Sequence, residues 1–363
     1  MKQGRSLQDI AAELERQTKS RADYIAPQGA LDAKVLDGEI VLDGLNGDPK
    51  RISPYAHKQF ADHLAIPARY YDRMRTEQPT LLAANLNTWL KAQPEEKRML
   101  RTLDGRVRGF LSPKFRPLDN FDLANAVLPT LLERKVQIVS AELTETRLYI
   151  KGILPELSDE LPEGMAWGHG HGMVGRDGRL VAAIVISNSE VGAGTLRVEP
   201  SVFTTWCTNL AIMAAAAMKK YHIGRAWEAD EDLSIYRDAT RAADDRAFFM
   251  KVVDVTKSAF ELDTFKAAVA SIREAGKNDI KSTELPKVVD LAVKQLALPE
   301  ATSGGILSIL ARNGDLTQWG LSSAITQLAN DYADYEGATE LERAGGKILA
   351  LPPKAWAAIA EAA

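Results

Sequence analysis

Hydrophobic residues along this chain change their spacing repeatedly, and each change predicts a change of element. Leu7, Ile10, Ala11 and Leu14 recur at the three- and four-residue intervals of one helix face, with Ser6 placed to cap and Asp9 three residues further on. A short β region follows, with Tyr24-Ile25-Ala26-Pro27 and Gly38 to Leu42 ahead of the turn Asn46-Gly47-Asp48. Residues 53–92 return to helical spacing, and Pro79 reads as a break before Leu81, Leu82, Leu86 and Trp89.

The middle of the chain alternates hairpins with helices. Met99 to Leu103, then Asp104-Gly105, then Arg106 to Leu111 predict a hairpin, because Asp-Gly suits the primed turn that right-twisted strands need. Asp119-Asn120 is expected to cap a helix through Leu132, and Gln137–Ser140 and Arg147–Gly152 to form another strand pair. Leu180–Ser187 is a nearly all-apolar strand; Gly192-Ala193-Gly194 leads into Thr195–Glu199, and a helix is expected after Pro200. Beyond Glu228 the pattern is helical over Asp245–Phe260, Asp263–Ala275, Leu285–Leu296, Asp315–Tyr332, Glu340–Leu349 and Pro353–Ala362. Lys277–Glu284 and Pro299–Gly305 read as loops. The expected class is therefore α+β: antiparallel β-hairpins with packed helices, followed by a mostly α-helical C-terminal region. Its expected parts are residues 1–97 (helical with short β), 98–227 (α+β core with the hairpin) and 228–363 (helical and acidic).

Composition excludes several classes. The chain has 363 residues, 45% of them hydrophobic and 26% charged, too apolar for general disorder and long enough for two or three domains. The longest apolar run, Leu210 to Met218, is nine residues and mostly alanine, far below a membrane span. Met-Lys-Gln-Gly-Arg-Ser at the start carries no apolar signal core, so a cytoplasmic location is expected. Cys207 is the single cysteine, which excludes an intramolecular disulfide and a multi-cysteine zinc site.

Charge adds a polarity that the net value of −4 hides. From Glu228 onward there are 22 acidic and 15 basic residues; before it there are 27 and 30. Within the basic part, Lys97, Arg98, Arg101, Arg106, Arg108, Lys114 and Arg116 stand against Asp104 alone, a local charge of +6 on the hairpin. Such a segment on an otherwise acidic chain confines a polyanion to one face. The alternative is that these cations pair with carboxylates elsewhere in the fold.

Nucleotide-binding loops are absent. Gly276-Lys277 has Ser271 and Asn278 where a phosphate-binding loop needs glycine and a hydroxyl, Gly346-Lys347 has Leu341, and Gly192-x-Gly194 is followed by Arg197. No cofactor is expected, and ATP use is not. Gly168-His169-Gly170-His171-Gly172 with Asp177 nearby is the one metal-like cluster, the basis of an alternative reading as a metal-dependent nuclease. Cys207 reads as a buried structural thiol rather than a nucleophile. Tyr55 to Met74 has the outline of a helix-turn-helix that would present Arg69 and Arg73. Asn188-Ser189-Glu190 reads as turn chemistry, with a polar cluster beside a glycine-lined groove as its functional alternative.

Several stretches taken together resemble one family. Ile66-Pro67-Ala68-Arg69-Tyr70-Tyr71, Asn85 to Leu90, Arg101 to Arg108 and Arg116-Pro117-Leu118-Asp119-Asn120 look like the phage/plasmid-like protein family, classed as a domain of unknown function. Ser187 to Gly192, Cys207 to Leu210, His222 to Arg225, and Trp319-Gly320 with Ala324 to Thr326 extend the match. Leu210, where the family pattern has glycine, and the Gly-His-Gly-His-Gly loop depart from it. The resemblance implies a mobile-element setting, in which single-strand protection, annealing and anti-restriction are common needs. The hairpin-then-helix order is also similar in topology to the β-β-β-α core of the Rad-type single-strand annealing proteins.

These readings converge on an ATP-independent, homo-oligomeric protein, a ring or filament, that binds and anneals single-stranded DNA. The expected contacts are Lys97, Arg98, Arg101, Arg106, Arg108, Lys114 and Arg116 on phosphates, Arg197 as an outlying contact, and Phe110 and Phe115 as stacking rings, with Trp206 a third ring more suited to the core. A different use of the chain would dock the acidic helical region on a basic host protein in an anti-defence role.

Overall fold

Ser6 opens the first helix of the computed structural model, which describes residues 1–115, 118–161, 178–205, 209–213, 222–223 and 238–361, with backbone course alone at 222–223 and 238–242. In α1 (Leu7–Ser20) the Ser6 hydroxyl accepts from the Asp9 amide and donates to its carboxylate, and Ile10 and Leu14 are buried.

Six strands make the first sheet: β1 (Ala22–Pro27), β2 (Asp32–Leu36), β3 (Glu39–Asp43), β4 (Lys50–Ile52), β5 (Lys97–Leu103) and β6 (Arg106–Leu111). Their order is β1-β5-β6-β4-β3-β2, and only the β4–β6 pair is parallel. Asp104 and Gly105 both have positive φ, 51° and 73°, as the expected primed turn demands. The hairpin therefore belongs with the N-terminal unit, because β5 pairs with β1 and β6 with β4; the expected boundary at residue 97 cuts through a sheet. Helices α2 (Pro54–His63), α3 (Ala68–Glu77) and α4 (Pro79–Ala92) supply the rest of this unit's core, with Phe60, Tyr71, Leu82, Leu86 and Leu90 fully buried. Pro79 occupies the first turn of α4, where its missing N–H costs nothing, so it starts that helix instead of breaking one.

The second sheet follows α5 (Asn120–Glu133). Strands β7 (Gln137–Leu143), β8 (Leu148–Glu160), β9 (Arg179–Asn188), β10 (Leu196–Thr204) and β11 (Asn209–Ile212) form an antiparallel meander in sequence order, with β12 (His222–Ile223) also on β10. The helix expected after Pro200 is thus replaced by strands. Pro200 fits inside β10 because its carbonyl, which accepts from the Met213 amide, points away from β9, and its missing N–H points the same way.

Helices cover both faces of this sheet. On one, α1, α5, α6 (Asp238–Ser258) and α7 (Leu262–Ala275) bury Leu148, Ile150, Leu180, Ala182, Ile184 and Ile186. The other carries Val181, Ala183, Val185, Phe203, Leu210 and Ile212. It meets α10 (Gln318–Leu328) and α11 (Tyr335–Leu349), which with α8 (Leu285–Gln295), α9 (Ser303–Asn313) and α12 (Pro353–Ala360) have a core of their own. Cover on both sides explains why β9 reads as a continuous apolar run. The whole is α+β, with a helical C-terminal region. No helix among the described residues is long and apolar enough to cross a membrane.

Candidate nucleic-acid interface

A one-residue irregularity decides what the basic hairpin can offer. Arg101 pairs with Gly109 and Thr102 with Val107, so Arg108 is an extra residue in β6, a β-bulge. The bulge turns Val107 and Phe110 to the same side, into the core. Strict alternation would have placed Phe110 beside Arg106 and Arg108.

Four of the expected contacts are consequently occupied by the fold. Phe110 is 2% exposed and stacks on Phe60 with ring centroids 4.0 Å apart, so it is a core residue and is withdrawn as a stacking ring. Arg101, also 2% exposed, is withdrawn as a phosphate contact: its Nε donates to Asp23 at 2.8 Å, one Nη to Asp119 at 2.9 Å and the other to the Glu190 carbonyl at 2.9 Å. Asp23 faces Arg101 directly across the β1–β5 ladder, which makes this a cross-strand ion pair. Arg108 is tied to the Glu190 carboxylate, whose other oxygen accepts from the Asn120 amide at the start of α5. Arg98 lies over the Phe110 ring, 4.9 Å from its centroid, and 3.5 Å from Glu96. Burial lowers its pKa, against the opposing pull of Glu96.

Glu190 also answers the question left by Asn188-Ser189-Glu190. All three are buried, and Ser189 Oγ accepts from the Val191 and Ala193 amides, which is the expected turn chemistry. Asp119 takes the N-cap position of α5 without capping it; its carboxylate serves Arg101 and Arg21 instead, and Glu190 supplies the cap from another strand end.

Lys97, Arg106 and Lys114 remain exposed and make no side-chain hydrogen bond or ion pair among the described residues. Lys97 and Lys114 sit at the open end of the hairpin and Arg106 at its turn, about 20 Å away for six residues of extended chain. They form a track, not a convergent pocket. Phe115, half-buried, rests against the loop after β9: a Cβ on Gly192, whose φ is +78°, would stand 3.7 Å from the Phe115 ring and 2.9 Å from Leu111. Glycine is required there by both backbone and space. That loop runs on into β10, which carries Arg197. Arg116, Trp206, Cys207, His169, His171 and Asp177 lie outside the described residues.

Two exposed rings escaped the sequence reading. Trp89 and Tyr70 are 50% and 47% exposed. The signal for Trp89 was present: Leu81, Asn85 and Trp89 lie one residue off the buried stripe Leu82, Leu86, Leu90. Elsewhere, a cleft of about 550 Å3 between α7, α12 and the end of α11 has Trp356 and Leu349 in its wall, and its rim charges pair with each other, Lys277 with Glu274 and Lys281 with Glu361. Among the described residues no three or more His, Cys, Asp or Glu side chains are grouped to hold a metal. No family model, no curated protein and no solved structure matches the chain.

Proposed function

We propose that the chain is a single-stranded DNA-binding and annealing protein that works without ATP as a homo-oligomer. The observation that carries this reading is the selective neutralisation of the hairpin. The fold pairs Arg98, Arg101 and Arg108 with carboxylates and leaves Lys97, Arg106 and Lys114 bare along the length of the hairpin. Free cations spaced along an extended ribbon suit a flexible strand, which can follow them while its bases stay open for pairing. The antiparallel meander with α5 and α6 against it is compatible with the annealing-protein core, and the motif resemblance supports a phage or plasmid setting.

The test is fluorescence anisotropy of a labelled dT oligonucleotide with wild type and with Lys97→Glu, Arg106→Glu and Lys114→Glu combined. Three neutralised phosphates give a log–log salt slope of about −2. The triple variant should lose more than tenfold in affinity while its circular dichroism stays unchanged. Equal affinity of the two proteins overturns the reading.

A further inference from the structure

On the α11-facing side of the second sheet, cations are matched with care. Lys151, fully buried, meets the equally buried Glu342 at 2.6 Å. Arg343 grips both oxygens of Glu199, at 2.6 and 2.9 Å. Arg197, on the same strand and face as Glu199, breaks the rule. Its guanidinium makes no hydrogen bond and no ion pair among the described residues, although it is part-buried and its Nε is wholly shielded from water. Directly across the ladder stands Ser187, 0% exposed, whose hydroxyl also has no partner. Side chains opposed in this way have Cβ atoms about 5 Å apart.

Two adjacent polar groups shielded from water and left unanswered are costly to the fold unless something completes them. A guanidinium only donates, and a serine hydroxyl can donate as well, so the missing partner is an acceptor serving both. Glu199, two residues along the same strand and on the same face, is already taken by Arg343. A water would accept but would leave the charge unmatched.

We infer that Arg197 and Ser187 form a binding site for a phosphate oxyanion, entered from the exposed end of the guanidinium. The choice of phosphate rests on the proposed function, since the loop leading to Arg197 packs against Phe115, next to Lys114. The phosphate is either a backbone phosphodiester or a free anion, and the test separates the two.

Wild type, Arg197→Gln, Ser187→Ala and the hairpin triple variant are compared in two assays: the Tm shift on adding inorganic phosphate, and the affinity and salt slope for a dT oligonucleotide with a 5′-hydroxyl end. Phosphate should raise the Tm of wild type and of the triple variant, leave Arg197→Gln unmoved, and raise Ser187→Ala by less. If the occupant is a backbone phosphodiester, Arg197→Gln also lowers the magnitude of the salt slope by about 0.7. If the occupant is the free anion, the slope is unchanged while the Tm effect is lost. An Arg197→Gln protein that responds to phosphate like wild type, or a wild type that does not respond, overturns the site. Loss of the Arg197 effect with DNA binding intact in the triple variant supports the site and removes the hairpin reading, so the two failures are distinct.

Discussion

Arg101 and Arg197 stand on strands of different sheets, and both have lost much of their contact with water, yet they are treated in opposite ways. Every arm of Arg101 is answered: two carboxylates from β1 and the α5 start, and a carbonyl from the β9–β10 loop. It joins three segments distant in sequence and acts as the rivet between the N-terminal unit and the second sheet. Arg197 is answered by nothing among the described residues. Burial of a cation is thus a poor guide to its use. What separates a structural arginine from a candidate binding one is whether its donors are satisfied before any ligand arrives.

The sharpest way to break this comparison is by stability. Arg101→Leu should cost about 3–5 kcal/mol, read from the urea midpoint, because it strands Asp23, Asp119 and the Glu190 carbonyl without their donor. A loss under about 1 kcal/mol would show that water can replace the rivet.

A slightly smaller effect is expected at His57, which is buried with Tyr71 as hydrogen-bond partner at 2.7 Å. Burial, with some help from Arg75, pushes its pKa down to about 4 from an ordinary 6.5. The unfolded chain then takes up the proton before the folded one does. The stabilisation is full above pH 6.5 and is lost as pH falls towards 4, about 3 kcal/mol in all. Urea titrations across that range should show a steeper slope in wild type than in His57→Gln, with the part due to His57 removed in the variant. An identical slope in both would assign acid sensitivity elsewhere.

Smallest of all, and opposite in sign, Arg197→Leu should raise stability in phosphate-free buffer by about 1 kcal/mol, since it removes an unanswered shielded donor and strands no partner. A loss as large as that of Arg101→Leu would collapse the distinction.

Much of the local structure was legible because it rests on local chemistry. The Ser6 cap, the Asp104-Gly105 turn and most of the C-terminal helices are set by residues within a few positions of each other. Failures came where partners are remote. The stretch after Pro200 was expected to be helical, but Phe203, Leu210 and Ile212 are held as strand by the helices packed on them. Strands β2 and β4 are short and gain definition only from their neighbours. Gly304-Gly305 concealed the whole of α9, which was not expected as a helix. In the candidate site, the concentration of charge was visible, but its cancellation was not. Asp23, Asp119 and Glu190 reach Arg101 and Arg108 from 18 to 89 residues away, and the bulge that buries Phe110 leaves no mark in the pattern.

The side chain of Asn87 has a consequence for assembly. Its amide oxygen accepts from the Ala33 N–H and its amide nitrogen donates to the Ala33 carbonyl, so it imitates a further strand along the outer margin of β2. Growth of a polymer by strand addition needs two open margins per copy, one to give and one to receive. Here one margin of the first sheet is already terminated, and addition at β1 alone would stop at two copies. The first sheet therefore offers no route by strand addition to a polymer longer than two copies.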